Sequence, residues 1–154
     1  MIETVSKITI EAYSDRHFLD IVKLVQNFHA EAVGDYDGFD PETLIRTIKD
    51  QAEQSVGNCF LLVVDGVCQG ILFGVRFKSL ISQNIIFQEL IWYVNKEYRM
   101  SGISLLREAE KSLKLSGVNS IIMAVLENSK TDKLKSFYER LGYKQMEVHF
   151  IKEL

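Results

Sequence analysis

Arg99-Met100-Ser101-Gly102-Ile103-Ser104 is the segment with the clearest capacity for chemistry. It falls between a long apolar run, NIIFQELIWYV over residues 84–94, and a run with helical spacing, LLREAEKSLKLSG over residues 105–117. A chain that turns there from strand to helix at serine and glycine exposes several backbone N–H groups, and the helix start adds the positive end of its dipole. That combination binds anions. Arg99 adds a full charge, and Gly102 lets an anion come close to the backbone. Taken alone, the segment reads more readily as a plain helix entry. Glu89 is flanked by apolar residues of the same run. Part-buried there, its carboxylate is suited to take a proton from an amine, directly or through water; an exposed strand glutamate is the even alternative. His29 and His149 rank lower as bases, because a lone histidine on a helix or end strand is more often structural. The three histidines have no ligand spacing, so no metal site is expected. No local motif suggests a Ser-His-Asp or Cys-His arrangement.

These residues need elements to position them. ITIEAY (8–13) alternates as a half-buried strand does, and apolar residues recur at helical spacing from His17 to Val33. Asp40-Pro41 reads as a capped helix start, with the helix running to about Glu53. CFLLVV (59–64), the Asp65-Gly66 turn and VCQGILFGVRF (67–77) form a hairpin. Gly70 and Gly74 mark a bulge or a close backbone approach in its second strand. NIIFQELIWYV adds a third antiparallel strand. After it come a helix ending near Gly117, an apolar strand SIIMAVL (120–126) expected at the sheet centre, a loop from Asn128 to Thr131, a short helix DKLKSFYERLG, and a final strand YKQMEVHFIKEL. The order describes a mixed α/β sheet covered on both faces.

Composition limits the classes. The chain has 154 residues, 47% hydrophobic and 25% charged, with no repeats and one proline, so one domain spanning 1–154 is expected. A net charge of −3 gives no nucleic-acid footprint. No apolar run is long enough to cross a bilayer, and MIETVSKITIEAYSD does not read as a secretory signal. Hairpin register sets Cys68 against Val63 and Cys59 against Leu72, too far apart to bridge. Reduced thiols and a cytoplasmic location are therefore expected.

The element order and two motifs resemble the GNAT family of acetyl-CoA-dependent N-acyltransferases. The family's phosphate loop, Gln/Arg-x-x-Gly-x-Gly/Ala, is matched by Arg99 to Ser104, with Ser104 in place of the last small residue. VNKEYR (94–99) resembles its lead-in. FYERLGY (137–143) resembles a second signature, an aromatic-tyrosine pair followed by Leu-Gly-aromatic. The resemblance implies a GNAT-like, mostly antiparallel sheet with helices on both faces and a splayed strand pair that holds acetyl-CoA as co-substrate. It implies that backbone N–H groups from about Met100 to Leu105 hold the diphosphate, with Ser101, Gly102, Ile103 and Ser104 among them. The backbone of Trp92 to Val94 would offer a strand edge to the pantetheine arm and an amide to the developing oxyanion. Tyr138 would protonate the leaving sulfur; by periodicity alone it is a core residue beside the stripe of Leu134, Phe137 and Leu141. Asn128 would hydrogen-bond the arm, or simply serve the turn. The acceptor would be a small-molecule or protein amine, met by GDYDGFD (34–40), whose Asp35, Asp37, Tyr36 and Phe39 suit a cation; a solvated loop capped by Asp40 is as good a reading. A homodimer is compatible with this. The rival from another class is a non-catalytic module that keeps the fold and binds acyl-CoA or a protein.

Overall fold

Among the described residues, five strands form one sheet in sequence order: β1 (Ile8–Ala12), β2 (Cys59–Val64), β3 (Val67–Lys78), β4 (Ile85–Val94) and β5 (Ser120–Ile122). The first four pair antiparallel, and β4 pairs with β5 in parallel. The α-helices of the described residues are α1 (Phe18–Phe28), α2 (Pro41–Gln54), α3 (Gly102–Leu115) and α4 (Thr131–Arg140). This computed structural model describes residues 5–34, 38–55, 57–126 and 130–154. The described chain divides into two units, Met1–Ala124 and Val125–Leu154.

In the first unit, β2 is buried along its whole length, which explains its unbroken apolar run. Leu61, Val63, Ile71, Phe73 and Ile91 pack with Ile21, Leu24 and Val25 of α1 and Leu44 and Ile48 of α2. A different apolar set, Leu105, Leu106, Ala109 and Leu113, is buried on α3, which lies against β2, β3 and β4. Asp65 (φ 50°) and Gly66 (φ 84°) make the left-handed turn of the hairpin. Asp40 caps α2 by accepting from the Thr43 N–H at 3.2 Å. Gly117 (φ 94°) ends α3, with Val118 N–H donating to the Leu113 carbonyl and Gly117 N–H to that of Lys114.

Both strand glycines have a crowding reason. A Cβ on Gly70 would stand 2.9 Å from Val94 Cγ2; one on Gly74 would stand 2.3 Å from the Gln88 carbonyl oxygen. Each lies beside a register shift, one leaving Gln69 without a partner in β2 and the other bulging Leu90 out of β4. The first shift corrects the expected register: Cys59 faces Phe73, not Leu72, while Cys68 does face Val63. Both cysteines are free and buried.

Three other expectations are corrected. The helix read from His17 to Val33 is a 3₁₀ turn (Asp15–His17), then α1, then a π-helical turn (His29–Val33) closed by the Gly34 N–H donating to the His29 carbonyl. SIIMAVL is not a central strand. Only Ser120–Ile122 pairs, β5 ends the sheet, and its three residues are part-exposed. Residues 143–154 form no strand, since they join no ladder among the described residues; Met146, Val148, Phe150 and Ile151 stay exposed.

In the second unit, α4 ends at Gly142 (φ 91°), where the Tyr143 N–H donates to the Tyr138 carbonyl. Among the described residues, no helix is long and apolar enough to cross a membrane.

Candidate active site

The site is built around the C-terminal half of β4. Its ladder with β5 covers Ile86, Phe87 and Gln88 and stops there, while β4 runs on to Val94. The two chains then fork. At the other side of β4, Val94 is paired with Gly70, and the Asn95 N–H donates to the Gln69 carbonyl at 2.9 Å. In an antiparallel ladder this marks Val94 as a non-hydrogen-bonded position. Its own N–H and C=O, and those of Trp92 two residues earlier, therefore face away from β3 into the fork.

Glu89 sits where the fork begins. The bulge at Leu90 follows it directly, and its carboxylate accepts the Ala124 N–H at 3.1 Å and also the Trp92 N–H. The group is buried. Loss of hydration raises its pKa to about 7, against the opposing pull of the two amides. A carboxylate poised near neutrality is suited to proton transfer.

Past Val94 the chain makes a 3₁₀ helix, Lys96–Ser101, that runs straight into α3. The free-amide turn expected here is therefore partly closed: Tyr98 N–H donates to the Asn95 carbonyl and Gly102 N–H to that of Arg99. No side chain caps the start of α3 at Ser101. Met100 is exposed. Gly102 is buried at φ −60°, an ordinary helical value, and a Cβ there would stand 3.4 Å from Val94 Cγ2 and 3.8 Å from Trp92 Cζ2, ordinary contacts. Neither torsion nor internal crowding requires glycine at this position.

Arg99 turns away from the α3 start. Its guanidinium donates to both oxygens of Glu31 (2.7 and 3.1 Å) and, from Nη2 and Nε, to the Val94 carbonyl (2.9 and 3.2 Å). It lies over the Tyr93 ring, whose hydroxyl donates to Glu31 at 2.7 Å. Arg99 and, to a lesser degree, Tyr93 hold the Glu31 pKa down at about 2. Sequence reasoning missed Glu31: it lies 68 residues from Arg99, in a π-helical turn with no local signature.

Tyr138, in the second unit, is buried between Phe137 (6.2 Å between ring centroids) and Tyr143 (5.5 Å). Asn128, Asp35, Tyr36 and Asp37 lie outside the described residues. Phe39 stacks on His29 (5.5 Å) and packs edge-on to Phe28 (5.6 Å) beside the core, and Asp40 caps α2. His149 is exposed and sits 3.0 Å from Glu147. Among the described residues, no three His, Cys, Asp or Glu gather as a metal-holding group.

The sheet order, the covering helices and the forked β4–β5 pair define the fold of the GNAT-type acetyltransferases. Solved structures of three such proteins share it over nearly their whole lengths. An acetyltransferase from Trypanosoma brucei aligns with 96% of this chain and 100% of its own, at 14% identity and a TM-score of 0.67. The aminoglycoside N-acetyltransferase AAC(6')-Iy, solved with CoA, aligns over 99% of each chain at 13% identity and a TM-score of 0.73. Glucosamine-6-phosphate N-acetyltransferase from Arabidopsis thaliana aligns over 96% and 98%, at 12% identity and a TM-score of 0.65. No protein-family model and no curated protein matches the chain by sequence.

Proposed function

We propose that the protein is a GNAT-family N-acetyltransferase, with 1–154 as its catalytic domain, that moves an acetyl group from acetyl-CoA to a primary amine by direct attack. The observation that carries this reading is the fork: β4 continues to Val94 with its edge paired, among the described residues, to no strand beyond Gln88 on the β5 side, beside a helix start with a glycine that the fold itself does not require. The residues fit the cofactor part by part. The first turn of α3, from Gly102 to Ser104, suits a diphosphate, with Met100 and Ser101 at its approach. The strand edge from Trp92 to Val94 suits an amide-bearing arm. Bound there, acetyl-CoA supplies the acetyl group as a thioester.

The chain's own groups do the rest. The Val94 N–H is a fixed donor for charge developing on the carbonyl oxygen. Glu89, with its pKa near 7, takes the proton from the amine directly or through water. Tyr138, by resemblance, gives a proton to the leaving sulfur, and Asn128 bonds the arm. Two free, buried cysteines fit a reducing compartment such as the cytoplasm.

Thiol release from acetyl-CoA, assayed over a panel of small amines and peptide amines, tests the reading. Amine-dependent release is expected. Acetyl-CoA binding without release on any amine would instead support a binding module, and neither binding nor release would end the proposal. Within an active enzyme, Tyr138→Phe should lower kcat by roughly 10²-fold with acetyl-CoA affinity nearly unchanged. An unaltered kcat with chemistry rate-limiting removes Tyr138 from the mechanism.

A further inference from the structure

The motif resemblance casts Arg99 as a phosphate-side cation, but its geometry gives it other work. Four donor contacts leave the guanidinium: two to Glu31 and two to the Val94 carbonyl. That carbonyl faces the fork, and on a bare strand edge it would need water or a ligand. With the guanidinium on it, the fork edge at Val94 presents its N–H as donor while the acceptor is already occupied.

The contacts also tie two distant segments together. Glu31 belongs to the π-helical turn at the end of α1, and that turn's extra residue re-aims its side chains relative to α1. A second polar chain runs parallel to the first. Asn27 Nδ2 donates to Asn95 Oδ1 at 3.1 Å, and Asn95 Nδ2 donates to Gln69 Oε1 at 2.8 Å. Gln69 is the residue bulged from β3. Both chains converge on Val94 and Asn95, the last two positions before the 3₁₀ turn. Reaching out to a phosphate would strip Arg99 from Glu31, a carboxylate only 17% exposed, and uncover the Val94 carbonyl. An under-compensated charge in such a place is costly.

We propose that Arg99 and Glu31 are positioning residues of the acyl-transfer site, acting through the Val94–Asn95 backbone, and that the Arg99 guanidinium is not a phosphate ligand. This rests on the acetyltransferase reading above for its kinetic arm, and on the fold alone for its structural arm.

The structural arm is amide hydrogen exchange on the protein without cofactor. In Arg99→Met and in Glu31→Gln, exchange at Asn95 should quicken by about 10-fold while exchange in the centre of β2 and β3 is unchanged. Equal rates at Asn95 in folded variants overturn the clamp, whatever the activity. The kinetic arm uses Trp92, the chain's one tryptophan, as a fluorescent reporter of CoA titration beside steady-state rates. Arg99→Met should cut kcat by about 10-fold with the CoA dissociation constant moved less than about threefold, since a positioning group acts on the transition state. Arg99→Lys should restore part of kcat. The Arg99→Met, Glu31→Gln double variant should be no worse than Arg99→Met, as befits one unit. A CoA dissociation constant raised about 10-fold or more with kcat unchanged overturns the assignment and returns Arg99 to the phosphates. If the Arg99→Met variant does not fold, Arg99→Lys and Glu31→Gln carry both arms. If the wild-type protein does not bind CoA, the acetyltransferase reading falls while the exchange result still decides the clamp.

Discussion

From Ile86 to Gln88, β4 has a strand on each side; from Glu89 to Val94 it has β3 alone. In the first stretch the backbone pairs with backbone on both sides, with Phe87 buried and Gln88 exposed. In the second, side chains address the backbone: Glu89 of the stretch itself takes the Trp92 and Ala124 amides, and Arg99 takes the Val94 carbonyl. One strand is thus scaffold at its start and candidate site at its end. The change falls at the Leu90 bulge, where the strand re-aims its side chains.

The largest effect is expected in the paired half of β4. Gly74→Ala forces a Cβ against the Gln88 carbonyl and the Phe87 ring. It should cost about 3 kcal/mol in urea-induced unfolding, the upper part of the usual overpacking range. A loss under about 0.5 kcal/mol would show that the paired half is not rigid there.

Next is Glu89→Gln, which should lower kcat by roughly 10²-fold and abolish an acid limb in the rate profile near pH 7. The stability sign is separate. Because burial raises the folded-state pKa above the unfolded value of 4.5, the folded state holds the proton between there and about 7, and unfolding releases it. Glu89 therefore makes the protein progressively less stable as pH rises through that window, and Gln should remove that slope. A wild-type acid limb that persists in the Gln variant assigns the base elsewhere.

The smallest effect separates site from scaffold most cleanly. Gly102→Ala meets only ordinary contacts, so its stability should match the wild type or exceed it by a few tenths of a kcal/mol, as for glycine replaced in a helix. On the proposed acetyltransferase reading, acetyl-CoA affinity should nevertheless fall by about 10-fold, the added methyl group crowding the approach of a diphosphate to the backbone. Unchanged affinity would leave this glycine without a role.

Much of the scaffold was legible because its signals are local. Asp65-Gly66 fixes a hairpin, Asp40-Pro41 a helix start, and Gly117 and Gly142 two helix ends, each through the torsion or capping those residues supply. Gly70 and Gly74 announced their crowding. Glu89 was legible as a carboxylate in an apolar run, though not the two amides it holds. The rest depends on pairs far apart in sequence. Where the β4–β5 ladder stops is set by a three-residue strand, and no property of SIIMAVL says that only its first three residues pair. Alternation in residues 143–154 suggested a strand, but alternation cannot supply a partner. The motif around Arg99 is local, whereas its partner Glu31 is 68 residues away.

The most direct measurement is a crystal structure of the protein with acetyl-CoA. We predict the diphosphate at the first turn of α3 beside Gly102, the arm along Trp92 to Val94, and Arg99 still on Glu31. Acetyl-CoA lying elsewhere, or the β4–β5 fork closed by the chain's own side chains with no nucleotide beside α3, would contradict it.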